Sequence, residues 1–215
     1  MATSATERRG LHRVLERSGV YAFLQNGLGT TDLPERVRLA YFPELGSTMR
    51  SVLDMGSGPA SFLAAHRSAG AFSYTGFDPN PKYIETARAR FPDADLRVGT
   101  TDDLGPAITG TFDLVVAFGV LHHVPDQAVR DLARFAADRL APGGRFVTFD
   151  AVFFDGQRTF ARAMARSDRG KFVRTPDAYA TLVREGFGSG NLRMDTVHDL
   201  LRVPYDHHIM VLERA

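Results

Sequence analysis

The chain contains no cysteine among its 215 residues. Disulfide bonds, thiolate metal sites and a cysteine nucleophile are therefore excluded. Lysine is almost as scarce, since it occurs only at Lys82 and Lys171 and nearly all of the 26 basic residues are arginines. The function must depend on other residue types.

The chain also lacks a large net charge and any long apolar run. The formal net charge of +1 gives no reason to expect nucleic acid as a partner. The longest apolar run, around residues 114–121, is far shorter than the roughly 20 residues that cross a bilayer. The stretch MATSATERRGLHRV lacks the apolar core of a signal peptide. We therefore expect a soluble cytoplasmic protein, without membrane insertion, that is a monomer or a homodimer.

Short apolar strands alternate with amphipathic helices between residues 50 and 150. This alternation is typical of a parallel sheet with helices on both faces. Further helices are predicted at about 157–167 and 176–186, and late strands near 192–198 and 207–213. The earlier strands are SVLDM, FSYTGFD, ADLRVG, FDLVVAFGV and APGGRFVTFD (the last with its turn), and the helices are PASFLAAHRSAG closed by Gly70, NPKYIETARARF with Asn80 as N-cap, and DQAVRDLARFAADRL.

The region before this alternation reads as two or three short helices. LHRVLERSGVYAFL and PERVRLAYF both carry apolar residues at helical spacing. We predict an N-terminal helical lid over residues 1–48 and a ligand-binding α/β domain over 49–215, with a substrate-covering insertion at about 151–190. Ligands of open α/β sheets bind beyond the carboxyl ends of the strands, so the residues that follow each strand are the candidates for the site.

The loop after the first strand, in VLDMGSGPASFL, has the form of a nucleotide-binding turn. A dinucleotide fingerprint requires a third glycine and free backbone donors for a pyrophosphate. Here Ser61 stands at the third position, and Pro59 removes a donor directly after Gly58. S-adenosylmethionine has no phosphate and needs only the close backbone approach that Gly56 and Gly58 permit. The loop therefore favours S-adenosylmethionine over a nicotinamide dinucleotide.

An acid follows the second strand. Asp78 lies 20 residues after Gly58, the usual place for a carboxylate that accepts hydrogen bonds from both ribose hydroxyls. Both candidate ligands carry these hydroxyls, so Asp78 supports a nucleoside site without distinguishing between them.

Four stretches in order, VLDMGSGPASFL, YTGFDPNPKYIETARARF, FDLVVAFGVLHHVPD and LAPGGRFVTFD, resemble the class I S-adenosylmethionine-dependent methyltransferase family over about residues 50–150. The small size of the additions resembles the small-molecule type within that family. The resemblance implies a Rossmann-like, doubly wound sheet of about seven strands. It also implies that the last strand is antiparallel and that the N-terminal helices form a lid over the cofactor.

The resemblance further implies a set of cofactor contacts. Asp54, Gly56, Ser57 and Gly58 would shape the loop around the methionine part, and Asp78 would hold the ribose. Many relatives carry an acid after the third strand for the adenine amino group, but this chain has Thr100 there. The remaining positions are Pro79 against the adenine, Thr101 or Asp102 as substitutes for the missing acid, and Phe118 and Gly119 near the cofactor's amino group.

Methyl transfer needs a general base only when the acceptor must lose a proton. His122 and His123, after the fourth strand, are the catalytic candidates, because a neutral imidazole can take a phenol or enol proton. A structural role in fixing the loop is the alternative. No carboxylate stands at helical ligand spacing beside them, so no metal is expected, and Asp126 is predicted to be the N-cap of the next helix.

Candidates for the acceptor pocket come from the lid and from the segment after the fifth strand. Strand alternation would point one residue of the pair His207 and His208 inward and the other outward. Six basic residues between 153 and 174, which include Arg158, Arg162 and Arg166, form either a solvated helix face or a rim for an anionic acceptor. The predicted acceptor contacts are Tyr21, Gln25, Asp150, Phe153, Phe154, Arg169, Arg174 and His207.

These features predict an S-adenosylmethionine-dependent methyltransferase that acts on a small molecule, with O-methylation slightly ahead of C- or N-methylation. One alternative is a nicotinamide-dependent reductase, although the sequence shows no Tyr-x-x-x-Lys pair for its proton transfer. Another is a cofactor-binding partner protein without catalysis, since methyl transfer requires no obligatory catalytic side chain.

Overall fold

A seven-stranded sheet forms the centre of the computed structural model, which describes residues 33–167, 170–198 and 205–214. The strand order is β3-β2-β1-β4-β5-β7-β6. The strands are β1 Ser51–Met55, β2 Ser73–Asp78, β3 Asp95–Val98, β4 Phe112–Phe118, β5 Leu140–Ala151, β6 Asn191–Val197 and β7 His207–Glu213.

Strands β1 to β5 pair in parallel, whereas β7 lies antiparallel between β5 and β6. The predicted doubly wound sheet with an antiparallel last strand is therefore confirmed. Because β1 to β5 are parallel, their carboxyl ends meet at one edge of the sheet. Ligands of such sheets bind at this edge, where the strand order changes between β1 and β4.

Helices flank the sheet, and their ends follow local sequence signals. The helix that begins at Pro81 is capped by Asn80, whose side chain accepts a hydrogen bond from the amide of Lys82 at 3.0 Å. The described helices are α1 Leu33–Tyr41, α2 Ser61–His66, α3 Pro81–Arg90, α4 Thr101–Leu104, a 3-10 helix Leu121–His123, α5 Asp126–Arg139, α6 Thr159–Ser167 and α7 Pro176–Phe187.

The sheet separates two apolar cores. On one face, Val52, Val116 and Phe149 pack with residues of α1, α2 and α3. On the other, Val115 and Phe146 pack with residues of α5 and α7. Strand residues alternate between the faces, and β4 is apolar on both because a helical layer covers each one.

The second helix is shorter than its sequence predicts. It ends at His66, well before Gly70. Gly70, at a φ of 133°, lies against the backbone of Gly46, and a Cβ at either glycine would overlap the other turn. Gly70 is therefore required for the contact between two turns and does not terminate the helix.

The described part of the N-terminal region begins at α1, which matches the predicted helix in PERVRLAYF. Leu33, Val37 and Tyr41 face the core on the α2 side. The predicted helix over 11–24 lies outside the described residues, as do Tyr21 and Gln25. Within residues 33–167, 170–198 and 205–214, no helix has the length and apolar character needed to cross a membrane.

The contact between α5 and α7 gives a test of the packing. A Cβ at Gly186 would overlap the carbonyl oxygen of Arg130. Alanine favours an isolated helix over glycine by about 1 kcal/mol, but the overlap should reverse this sign. We expect Gly186→Ala to lower the free energy of unfolding in urea by about 1–3 kcal/mol. Thr181→Ala, on the exposed side of α7, is the control, and a stabilised Gly186→Ala would contradict the packing.

Candidate active site

The loop after β1 turns sharply at the carboxyl edge of the sheet. Gly56 and Gly58 have φ values of 76° and 53°, and Ala60 adopts a left-handed conformation at 59°. A Cβ at Gly56 would come within 2.6 Å of a methyl carbon of Val120, in the connection after β4. The glycines thus bring two strand connections close together.

The amide groups of this loop are occupied within the protein. Pro59 has none, and the N–H groups of residues 56, 57, 58 and 60 all point to acceptors of the chain itself. The acceptors are the carbonyl of Phe77 for Gly56 (2.8 Å) and Ser57 (3.0 Å), the carboxylate of Asp78 for Gly58 (3.0 Å), and the carbonyl of Ser57 for Ala60 (2.9 Å).

A pyrophosphate needs a set of backbone donors that point toward it. Because the donors at residues 56–60 are already used, the loop lacks the anion cradle of a dinucleotide site. A nucleoside ligand without phosphates does not require this cradle. Ser57 adds a polar group here: it is buried, and its hydroxyl has no hydrogen-bond partner among the described residues.

Asp78 links the β1 loop to the start of α3. Its Oδ2 accepts the amide of Gly58 at 3.0 Å, and its Oδ1 accepts the amide of Asn80 at 2.8 Å. Burial raises the pKa of Asp78 to about 6, and the two backbone bonds oppose this shift. A carboxylate oxygen can accept more than one hydrogen bond, so Asp78 retains capacity for two ribose hydroxyls.

Asp54 is a second buried acid, at the end of β1. The hydroxyl of Tyr74 donates to its Oδ2 at 2.6 Å. Burial raises the pKa of Asp54 to about 7, the bond from Tyr74 lowers it, and the charge of Asp78 raises it further. Sequence reasoning missed Tyr74, although its position two residues before Gly76, the cross-strand neighbour of Asp54, places both on one face of the sheet.

The segment after β3 is fixed by a helix cap. The hydroxyl and amide of Thr100 both donate to the carboxylate of Asp103, at 2.8 and 3.0 Å. Thr101 and Asp102 begin the short helix α4 that this cap initiates. All three residues predicted for the adenine contact therefore lie together at the end of β3.

The end of β4 is aromatic. The ring of Phe118 lies 5.6 Å from Phe62 and 5.7 Å from Phe149. The amide of Gly119 donates to the carbonyl of Phe149 at 2.7 Å, which ties the ends of β4 and β5 together. Phe118 and Gly119 thus lie where β4 and β5 end together, and their contact with the cofactor's amino group stays a prediction.

His122 is paired with Asp150. Its Nδ1 lies 2.8 Å from Oδ1 of Asp150, which also accepts the backbone amide of His122 at 3.2 Å. A carboxylate only accepts hydrogen bonds, so Nδ1 of His122 is the donor in this bond. The ring of His123 lies 4.1 Å from that of His122, and both are buried. Asp150, predicted as a pocket wall, is buried and bonds His122.

The segment after β5 folds back over His122 and Asp150. The amide of Phe172 donates to the carbonyl of His122 at 3.1 Å, and a Cβ at Gly170 would overlap the His122 ring. Phe153 and Phe154, at the start of the returning segment, are partly buried. Phe153 packs against the α1-side core and Phe154 against the opposite one.

Arg174 has a different role from the one predicted. All five of its N–H groups donate within the protein, and its side chain is 9% exposed. The prediction that it binds an anionic acceptor on a basic rim is therefore wrong. The acceptors are the carbonyls of Leu121, Val124 and Phe172 and the carboxylate of Asp126.

Asp126 is the first residue of α5, and Pro125 occupies the N-cap position without a side-chain bond. The predicted N-cap role of Asp126 is wrong, because its carboxylate is taken by Arg174 at 2.7 Å. Arg162 lies over the ring of Phe153, and Arg158 lies 4.0 Å from Asp206. Arg169 lies outside the described residues.

The pair His207 and His208 does not divide into a buried and an exposed residue. Both are buried, because β7 lies inside the sheet and a layer covers each face. His207 stacks on Phe149 at 4.3 Å, and His208 faces Tyr179 at 6.2 Å. In the described part of the chain, no three His, Asp or Glu side chains are grouped in a way that could hold a metal ion.

Part of the chain matches the model of a known protein family. Residues 52–144 match the family model described as a methyltransferase domain. This range includes the β1 loop, Asp78, the Thr100 segment and His122, and ends before Asp150.

Curated relatives and solved structures are consistent with this match. The chain is 34% identical over 152 residues (63% of this chain, 58% of the relative) to a ubiquinone biosynthesis O-methyltransferase of Methylobacterium sp.. It is 31% identical over 137 residues (58% and 56%) to that of Xanthomonas oryzae pv. oryzae. It therefore spans little more than half of these relatives. The fold resembles the S-adenosylmethionine-dependent methyltransferase SibL in its apo form (TM-score 0.67, 22% identity, 91% of this chain and 57% of that one).

The raised pKa of Asp54 predicts that this residue lowers the free energy of unfolding at high pH. With a usual value of 3.8 and a folded value of about 7, the stabilisation from Asp54 is complete below pH 3.8 and is lost as the pH rises through 7. Asp54→Asn should therefore be more stable than the wild type, by on the order of 1–3 kcal/mol at pH 8.5.

The check is urea unfolding of both proteins from pH 5 to pH 9. The advantage of Asp54→Asn should grow up to about pH 7 and then level off. Asp113→Asn is a useful comparison, because Asp113 is a strand aspartate that is only partly buried. An advantage of Asp54→Asn that does not change with pH would contradict the burial argument.

Proposed function

We propose that the chain is a class I S-adenosylmethionine-dependent methyltransferase, as the match of residues 52–144 to a methyltransferase domain supports, and that it methylates a small-molecule acceptor at a hydroxyl oxygen rather than at carbon or nitrogen. The observation that carries the choice of oxygen is the His122–Asp150 pair, because a hydroxyl must lose its proton when its oxygen is methylated. The family match sets aside the nicotinamide-dependent reductase.

The residues at the edge of the sheet suit S-adenosylmethionine, which supplies an electrophilic methyl group when it is bound. Asp78 would accept hydrogen bonds from the two ribose hydroxyls, and the β1 loop would pass close to the methionine part of the ligand. The ligand has no phosphate, so the occupied amides of residues 56–60 do not oppose its binding. Asp54, Pro79, Phe118, Gly119 and the Thr100–Asp102 segment would form the remainder of the site.

His122 would take the acceptor proton on Nε2. Asp150 holds the ring by Nδ1 and by the backbone amide, so the orientation and tautomer of His122 are set before an acceptor arrives. The carboxylate also stabilises the imidazolium that forms. The contacts of Gly170 and Phe172 with His122 would exclude water from this proton transfer.

The acceptor would be flat and apolar on its faces. Phe118, Phe149, Tyr205 and His207 form a continuous series of rings at the ends of β4, β5 and β7, on the same face as Asp54. Aromatic rings pack well in offset or edge-to-face contact with another ring. Phenols and related aromatic alcohols combine such a face with a hydroxyl.

The names of the curated relatives support the same class, since both are O-methyltransferases of ubiquinone biosynthesis. That activity belongs to those proteins, and this chain spans little more than half of their length. We further propose that residues 1–48 and the insertion at about 151–190 cover the acceptor. A cofactor-binding partner protein without turnover is the competing hypothesis.

The test is formation of S-adenosylhomocysteine from S-adenosylmethionine with a panel of phenols and catechols, for the wild type and His122→Asn. Asparagine can still donate a hydrogen bond to Asp150 but cannot act as a base. We expect turnover with at least one acceptor, and we expect His122→Asn to lower kcat by about 10²–10⁴-fold, with unchanged S-adenosylhomocysteine affinity. Equal kcat values would exclude His122 as the base, and binding without turnover would favour the partner protein.

A further inference from the structure

A buried polar cluster lies behind His122, on the face of the sheet that α7 covers. Asp150 and Thr148 of β5 and His208 of β7 are all at most 2% exposed. Asp150 and His208 are directly opposite each other in the antiparallel pairing of β5 with β7. Directly opposite residues share a face, with Cβ atoms about 4.5–5.5 Å apart. The three side chains therefore belong to one polar patch inside an apolar layer.

The hydrogen bonds of this patch are incomplete. Oδ1 of Asp150 accepts two bonds from His122, but Oδ2 has no partner among the described residues. The same is true of Nε2 of His208 and of Oγ1 of Thr148. Buried polar atoms in folded proteins are nearly always paired with the protein or with an internal water. Because the three atoms lie on one face of the sheet, a single hydrogen-bonding partner can serve all of them.

The tautomer of His208 follows from its other nitrogen. Nδ1 lies 3.3 Å from the hydroxyl of Thr196. Burial lowers the pKa of His208, so the ring is neutral at pH 7 and carries one proton. If Nδ1 accepts from Thr196, that proton is on Nε2, where it can serve Oδ2 of Asp150. In the opposite tautomer Nε2 would itself be an acceptor and could not donate toward Oδ2 of Asp150.

We propose that His208 is a positioning residue for His122: its Nε2–H donates, through one internal water that Thr148 also binds, to Oδ2 of Asp150. A water with three polar partners is typical of an internal site. Both carboxylate oxygens of Asp150 are then bonded, and the plane that faces His122 is fixed. This inference deepens the proposed function and rests on it, because His208 acts only through His122.

The proton balance of the reaction does not involve His208. The acceptor hydroxyl would lose its proton to Nε2 of His122 while its oxygen takes the methyl group of S-adenosylmethionine, whose S–CH3 bond breaks to leave S-adenosylhomocysteine, and the proton would later pass from His122 to solvent. Neither Asp150 nor His208 gains or loses a proton in this step. The other titratable or charged groups around His208 and Asp150 are Tyr179 and Asp177 of α7, Asp195 of β6, Arg174 before α7, and His123.

Two variants separate this role from simple packing. His208→Leu fills the space but removes both nitrogens. His208→Gln can accept from Thr196 and donate toward Asp150, so it should restore the network. The matched control is His66→Gln, since His66 is an equally buried neutral histidine on the opposite face of the sheet.

The first measurement is the ¹⁵N spectrum of the histidines in the whole protein, without acceptor, with His208 assigned by its absence in His208→Gln. We expect His208 to be protonated at Nε2 and unprotonated at Nδ1 at pH 7. A proton on Nδ1 would overturn the proposal. This result does not depend on turnover, so the proposal can be tested even if no acceptor is found and the proposed function fails.

The second measurement is the pH profile of kcat/KM. Without the hydrogen bond from His208, the charge of Asp150 is less stabilised by other donors. Asp150 then attracts the proton on His122 more strongly, so His122 keeps that proton to a higher pH. The acidic limb should therefore move to higher pH in His208→Leu, by about half a pH unit or more. It should stay at the wild-type position in His208→Gln and His66→Gln. An unmoved limb in His208→Leu, or an equal shift in His208→Gln, would overturn the proposal.

Discussion

The carboxylate of Asp78 determines the shape of the sheet edge where β1 and β2 end. It accepts one amide from the β1 loop and one from the turn before α3, so the two strand-helix units cannot separate without leaving a buried charge unpaired. The pairing between β1 and β2 extends to Met55 and Phe77, immediately before these two turns. The left-handed conformations of Gly56, Gly58 and Ala60 are required by the same arrangement.

A second carboxylate organises the connections that follow β4 and β5. Asp150 fixes His122, and Arg174 then fastens the chain around it by donating to carbonyls on both sides of the histidine pair. Both residues have lost their contact with water, so the desolvation penalty offsets much of the stabilisation that their hydrogen bonds provide. With Asp54, Asp78 and Asp206, four acids among the described residues are buried at one edge of the sheet, and this concentration of desolvated carboxyl groups is typical of a functional site.

The sequence predicted those features that depend on neighbouring residues. Strand β1, the cap at Asn80 and the two late strands near residues 192 and 207 are local patterns, and the structure confirms them. The β1 loop could also be interpreted locally, because Pro59 removes a donor whatever the fold.

Features that depend on distant residues could not be predicted. The burial of both His207 and His208 follows from the position of β7 inside the sheet, which alternation along one strand does not reveal. The role of Arg174 requires the acceptors at Leu121 and Val124, some 50 residues away in sequence. The bond from Asp150 to His122 spans 28 residues and joins the ends of two strands. Only the paired sheet brings such groups together.

The central claim is that this edge of the sheet binds an adenosyl ligand without phosphates. The most direct measurement is calorimetric titration of the wild type with S-adenosylhomocysteine and, separately, with NADH. The account predicts binding of S-adenosylhomocysteine with a Kd in the micromolar range and no binding of NADH. Binding of NADH without S-adenosylhomocysteine would contradict it, because the amides of residues 56–60 would then have to serve a pyrophosphate that the structure gives them no means to hold.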